Sequence, residues 1–335
     1  MEDNITTNMN SLVEKHQQAK EDVDVAVGLR PSGVIHLGNM SVLGLAGLLA
    51  KNIGPHVSRV NVTVCDLDLP DPCDWKVHKE GYVKYFKDLP DQAGCHPNLL
   101  EHSLDSINYF STGIEDRLGT KFFVQLLSDV QRQEEFRHTI KKLAETEGLM
   151  KYLSPSLPRD SILVFPLCPD CGTSNMRPSR YLEGRVETSC QNPDCTVSEF
   201  DFDLLDCAFD IAVHHFIDPL RDRVVSPKSR IHVFGGDYRC MHGGEGGETK
   251  IRKIANVMRA ACEEVPDILL GPTFYSRDGE KMSKTKDNGL TMDVLRKHFG
   301  VDYELRVLEL IEHISERGLK NVDYQIVDEF LFRDT

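Results

Sequence analysis

His36, Gly38 and Asn39 sit in the run Gly28-Leu29-Arg30-Pro31-Ser32-Gly33-Val34-Ile35-His36-Leu37-Gly38-Asn39. A neutral imidazole and a carboxamide in the first turn of a helix can donate hydrogen bonds to phosphate oxygens without adding a fixed charge. Glycines such as Gly33 and Gly38 let backbone approach a ligand closely, and amides at a helix start favour an anion. Taken alone, these residues are better read as a histidine satisfied as a helix cap. About 245 residues downstream, Asp278-Gly279-Glu280-Lys281-Met282-Ser283-Lys284-Thr285-Lys286-Asp287-Asn288 carries three lysines in one loop after a tight turn. Such a loop can close on a phosphate chain as negative charge builds there.

Two further sets have ligand chemistry. Cys168-Pro169-Asp170-Cys171 is followed by eighteen residues and then Cys190-Gln191-Asn192-Pro193-Asp194-Cys195. Two such cysteine pairs complete a tetrahedron around zinc, and a closed four-thiolate site is structural because no position is left for substrate. A CxxC redox pair and a site that has lost its metal are the alternatives. Gly94-Cys95-His96 with Glu101-His102 also gathers ligand types. Two histidines and a cysteine at that spacing make no standard closed site, and no metal is expected there.

The elements that must position these groups read as alternating strands and helices. Residues 23–27 and 57–64 alternate apolar and polar side chains as strands do, and 40–50 is apolar enough for a buried helix. The second strand ends in Cys65-Asp66-Leu67-Asp68. Open α/β sheets bind ligands outside the carboxyl ends of their strands, so Asp66 and Asp68 are candidates to meet a substrate cation, or else cap a loop. Residues 71–98, with three prolines, are expected to wander over the surface. Helical period returns over 98–113 and 121–152, the latter mostly a solvated, charged face. Glu183-Gly184-Arg185 looks like a hairpin tip. A helix over 204–216 and a strand over 230–234 then lead to Gly235-Gly236-Asp237-Tyr238, with the glycine-rich 243–247 beyond. Helices over 249–262 and 290–316 flank short apolar stretches at 268–270 and 273–275, and the first 21 residues read as a frayed leader or loosely docked helix.

The chain has 335 residues, 40% hydrophobic and 27% charged, enough for one large or two ordinary domains with a sizeable core. A net charge of −14 argues against indiscriminate nucleic-acid binding through a basic surface, though a local basic patch can still hold tRNA. No apolar run approaches the roughly 18 residues of a membrane helix, and the polar N-terminus has no signal-peptide pattern. No membrane partner is expected, and the cytoplasm is the expected location. Ten cysteines without secretory features read as metal ligands and buried thiols rather than a disulfide framework.

In this order, the His36–Asn39 segment and Lys281-Met282-Ser283-Lys284 resemble the HIGH-type and KMSKS-type signatures of class I aminoacyl-tRNA synthetases. Three local matches bring class I lysyl-tRNA synthetase nearest: 30–39, Gly94-Cys95-His96 with Glu101-His102, and Lys281 to Asn288. The resemblance spans about 23–315, with weak identity between motifs. It implies an α/β fold, a Rossmann-type parallel sheet with a zinc-binding insertion facing a tRNA acceptor stem. The expected organisation is an extension over 1–22, half of the catalytic domain over 23–95, an insertion over 96–203 with its knuckles at 168–195, the second half over 204–300, and a helical segment over 301–335.

By the same resemblance, His36 and Asn39 hold phosphate oxygens of ATP while Lys281 and Lys284 close from the loop, Lys284 with the larger transition-state role. Gly33, Gly38, Gly235 and Asp237 complete the ATP site. Asp66, Asp68 and Tyr238 face the amino acid, Mg²⁺ accompanies ATP, and Cys168, Cys171, Cys190 and Cys195 hold zinc. Three departures stand out: Tyr238 follows Asp237 where the family has histidine, Trp75 is the only tryptophan where the family's pocket is lined with them, and the chain stops where the family continues into an anticodon-binding domain. The expected function is ATP-dependent aminoacyl-adenylate formation, with transfer to a tRNA acceptor end or another acceptor. The alternatives are a non-catalytic paralogue serving as a tRNA-binding or regulatory module, and a nucleotidyltransferase of the HxGH superfamily.

Overall fold

The computed structural model describes residues 5–6, 8–68, 82–91, 93–146, 160–162, 164–175, 179–206, 210–213, 217–236, 250–261, 263–282 and 288–332. Trp75, Asp237, Tyr238, the glycines of 243–247, Lys284 and Lys286 lie outside the described residues.

The first half of the chain runs β1 (Ile5–Thr6), α1 (Met9–Ala19), β2 (Val23–Leu29), α2 (Leu37–Ile53), β3 (Val57–Val64), β4 (Tyr82–Val83), α3 (Leu99–Leu118), β5 (Phe122–Leu126), α4 (Leu127–Gln131) and α5 (Glu134–Glu145). Short strands come next: β6 (Ser161–Ile162), β7 (Val164–Pro166), β8 (Ser174–Asn175), β9 (Ser179–Leu182), β10 (Arg185–Ser189), β11 (Glu199–Phe202) and β12 (Ile211–Val213). The chain then returns through α6 (Asp218–Val225), β13 (Ser229–Phe234), α7 (Lys250–Ala260), β14 (Asp267–Leu270), β15 (Thr273–Phe274), α8 (Met292–Phe299), α9 (Tyr303–Glu316), β16 (Asn321–Val322) and α10 (Tyr324–Leu331).

Six strands form one parallel sheet in the order β1-β14-β13-β2-β3-β5. Successive strands leave β2 toward β3 and β5 on one side, and β13 and β14 lie on the other. This is a Rossmann-type α/β arrangement, and its order reverses between β2 and β13, where the carboxyl ends open a crevice. Among the described residues no helix is long and apolar enough to cross a membrane.

The two sheet faces differ in chemistry. Val25, Val27, Val60, Val62, Val64, Ile231 and Val233 pack toward α2, α3 and α9 in one apolar core. The opposite face turns Asn61, Thr63 and His232 inward, all buried. Helix α6 answers that polar column. Arg221, 1% exposed, reaches Asp218 at 2.9 Å and Asp222 at 3.2 Å. Asp222 also accepts from Thr63 Oγ1 at 3.3 Å and meets His232 Nδ1 at 3.0 Å. Leaving one buried charge without its partners costs about 3–5 kcal/mol, so α6 is tied to the sheet at this spot.

Several elements depart from the sequence reading. The span expected as one helix over 121–152 begins with β5, which pairs with β3 and puts Arg59 over the Phe123 ring. The sheet therefore draws a strand from inside the span 96–203. No helix occupies the described part of 204–216: Ile211–Val213 is a strand against β7, and the helix starts after it, with Pro219 in its first turn. The helix expected over 290–316 breaks at Gly300 into α8 and α9. The leader is better docked than expected: β1 pairs with β14, and His16 of α1 lies 2.9 Å from Asp267.

Burial lifts the Asp218 carboxyl to about 7 against the pull of Arg221, with Asp68 and Asp222 adding repulsion. The folded protein thus holds a proton that an unfolded chain releases at ordinary carboxylate pH. This group's contribution to stability must fall as pH rises from about 4 to about 7 and stay level above. Asp218→Asn removes that slope. Urea unfolding at several pH values should show the variant gaining on wild type by at most about 1.4 kcal/mol per pH unit across that window; parallel profiles would contradict the assignment.

Candidate functional site at the switch point

Val23–Leu29 is a strand because it alternates into an apolar core, and Leu37–Ile53 is a helix because it is buried along nearly its whole length. Between them, His36 is the N-cap of α2. Its Nδ1 accepts from Gly38 N–H at 3.0 Å, and its own N–H reaches Asn39 Oδ1 at 3.4 Å, a reciprocal capping box. Both roles foreseen for these residues are compatible. An Nδ1 that accepts fixes the ring proton on Nε2, so the imidazole presents an N–H donor. Gly38 is required by close approach: a Cβ there would fall 2.7 Å from His36 Cε1.

Gly33 has φ of 96°, a conformation side chains resist. Its N–H donates to Ser103 Oγ at 2.8 Å, so that amide is committed within the protein. Gly235 comes directly after the end of β13, on the other side of the switch point from the β2 turn.

The lysine loop is closed at its base. Met282 N–H donates to Phe274 O at 2.8 Å, Lys281 bridges Tyr275, and Asn288 Nδ2 donates to Lys281 O at 3.3 Å. Past the loop, Leu37 N–H donates to Leu290 O at 2.7 Å and Met292 N–H to Ile35 O at 2.9 Å, framing a bridge between His36 and Thr291. The first motif is therefore joined by backbone to the segment that follows the lysine loop. Lys281 is exposed at the base of the loop.

The two acidic candidates diverge. Asp66, 1% exposed, accepts from Ser128 N–H at 2.9 Å and so caps the first turn of α4; burial raises its carboxyl above the usual range. Asp68 pairs with Arg30 Nε at 3.0 Å, tying the loop after β3 to the turn after β2. Arg30, Asp218, Arg221 and Ser103 were not singled out in sequence. None carries a spacing signal, since each meets its partner only through the fold.

The four cysteines converge. Cys168 and Cys195 have Sγ atoms 3.6 Å apart, as do Cys171 and Cys190, and all four lie within 4.8 Å of one another. Zn–S bonds of about 2.3 Å in a tetrahedron place sulfurs about 3.8 Å apart, so the set can hold zinc. β9 and β10, joined at Glu183–Gly184, form the predicted hairpin between the two pairs.

A second set assembles where no metal was expected. Asp91, Cys95, His96 and His102 also lie within 4.8 Å of one another, with Asp91 Oδ1 3.0 Å from His102 Nδ1 and Cys95 Sγ 3.2 Å from His96 Nδ1. His96 Nε2 meets Asp105 at 2.8 Å, the kind of carboxylate that orients a ligating imidazole. Asp91, the missing fourth ligand, stands four residues before Cys95. An oxygen, a sulfur and two nitrogens suit zinc.

Elemental analysis should give about two zinc ions per chain, falling to about one in Cys171→Ser and in His96→Ala, with lower thermal stability for Cys171→Ser because structural zinc contributes to folding. Unchanged metal content would rule out the corresponding site. A helical Gly-to-Ala change ordinarily stabilises by up to about 1 kcal/mol. Gly38→Ala should instead destabilise by about 1 kcal/mol in urea unfolding, because it drives the His36 ring off its cap.

No protein-family model matches the chain, and no curated protein matches it. Among solved structures it is similar to tyrosyl-tRNA synthetase of Archaeoglobus fulgidus complexed with L-tyrosine, at 14% identity over 94% of this chain and 88% of that one, TM-score 0.43. Tyrosyl-tRNA synthetase of Aeropyrum pernix is similar at 12% identity over 88% and 68%, TM-score 0.43. A putative arginyl-tRNA synthetase of Campylobacter jejuni is similar at 12% over 96% and 71%, TM-score 0.41. At these values the likenesses say nothing of substrate or activity.

Proposed function

We propose that the chain activates an amino acid with ATP, forming an aminoacyl-adenylate and pyrophosphate, and passes the aminoacyl group to a tRNA acceptor end or another acceptor. The observation that carries this reading is the backbone junction of Ile35–Leu37 with Leu290–Met292 beside the sheet's switch point. It holds His36 beside the segment that follows the lysine loop, where the resemblance to class I synthetases expects ATP.

In-line attack of a carboxylate on the α-phosphorus leaves charge to be stabilised on the phosphates and on departing pyrophosphate, work done by positioned donors and cations. His36 donates through Nε2, Asn39 through its amide, and Lys281 and Lys284 supply positive charge, with Mg²⁺ accompanying ATP. Gly38 provides the space for the histidine ring. Gly235 and Asp237 would line the nucleotide from the β13 side, and Gly33 shapes the turn. Asp68, paired with Arg30 and less buried than Asp66, is the better placed of the two acidic candidates to meet an amino-acid ammonium group, and Tyr238 is the third residue proposed for that substrate. Asp66 serves as a cap beneath it. The four-cysteine zinc is structural, in the part of the chain proposed to face the acceptor.

Pyrophosphate exchange screened across amino acids, with and without tRNA, tests the reading. ATP binding without exchange for any amino acid would favour a non-catalytic module. Lys284→Ala should lower the single-turnover rate of adenylate formation by about a thousandfold while ATP affinity changes little, because its partner charge develops in the transition state. Equal losses in rate and affinity would contradict that role.

A further inference from the structure

Ser103 lies in α3, outside both sequence motifs, and is 0% exposed. Its Oγ accepts from Gly33 N–H at 2.8 Å and donates to Gly33 C=O at 2.9 Å. One hydroxyl thus satisfies both backbone groups of a single residue, and that residue holds a φ of 96°. The start of α3 is itself fixed. Asn98 caps it by accepting from Glu101 N–H at 2.9 Å, and the preceding residue, His102, belongs to the Asp91–Cys95–His96 cluster. Ser106 Oγ adds a bond to His102 O at 3.1 Å. The hydroxyl of Ser103 is held in place from below.

Gly33 sets the course of the next three residues. Two positions on, Ile35 O takes the Met292 N–H, and the residue after that is the His36 cap. A rotation about Gly33 swings this segment relative to Leu290–Met292 and moves the His36 ring with it. We infer that Ser103 is a positioning residue for the activation site: it clamps Gly33 in its left-handed conformation so that His36 and Asn39 meet the nucleotide pre-aligned. The inference rests on the proposed activation reading. Ser103 itself touches no substrate. A displacement of about 1 Å can cost about a hundredfold in rate when reacting groups are prepositioned, whereas ground-state binding tolerates it better.

Ser103→Ala is the test, read in three ways. The rate constant kcat for pyrophosphate exchange should fall about 10- to 100-fold while KM for ATP changes less than about threefold. Amide hydrogen exchange at Gly33 should speed up, while amides inside α2 keep their protection. Ser103→Thr, which retains the hydroxyl, should restore Gly33 protection and much of kcat. Unchanged kcat with unchanged Gly33 protection would overturn the inference, as would an equal fall in kcat and ATP affinity with protection lost throughout α2. If wild-type protein supports no exchange with any amino acid, the activation reading fails by itself. Gly33 protection then decides: faster Gly33 exchange with the amides inside α2 still protected sustains the clamp, and unchanged Gly33 exchange removes it.

Discussion

Two amide–carbonyl bonds, Leu37 to Leu290 and Met292 to Ile35, join segments from opposite ends of the chain. Everything proposed about the crevice depends on them. Each bond alone is worth about 1 kcal/mol, so the junction holds because its two sides are separately rigid. On one side stands a strand–helix turn whose cap is closed by His36 and Asn39. On the other stands α8, which buries Met292 and Leu295. Two stiff bodies meeting at a short bridge form a hinge of definite register, and the lysine loop hangs from one side of it.

The sheet beneath is asymmetric for a related reason. An all-apolar second face would bury α6 more cheaply, since a buried ion cluster repays its desolvation only with full pairing. Here Arg221 is shared between Asp218 and Asp222, and Thr63 and His232 complete the set. Such a network accepts one register of α6 over β2 and β3 and rejects others. Arg221 lies close to Gly28: a Cβ on that glycine would sit 3.5 Å from the guanidinium. The charge cluster and the first motif therefore share a strand end.

Much of this was legible in the sequence where a pattern is local. The alternation over 57–64 marks β3 to the residue, the glycine turn before α2 was plain, and paired cysteines announced their own convergence. What escaped notice is non-local. Phe122-Phe123-Val124 is a short apolar run that periodicity cannot assign, and it becomes a strand because β3 offers an open edge. Arg221 and its aspartates look like an ordinary charged helix until the sheet's polar column is seen opposite. Ser103 is one serine on an amphipathic helix, and Asp91 one carboxylate in a loop. Nothing in their neighbours betrays a partner 70 residues away in the one case and 11 in the other.

The strand that carries the lysine loop, β15, finds its parallel neighbour in β16, beyond both α8 and α9. During synthesis the chain emerges from its amino end and folds progressively. The turn bearing His36 can form early, with β2, α2 and β3 already translated, but its sheet neighbour β13 and the base of the lysine loop must wait. A nascent chain thus forms the turn that bears His36 well before the base of the lysine loop. The site proposed for nucleotide is therefore assembled late, after most of this stretch of message has been read.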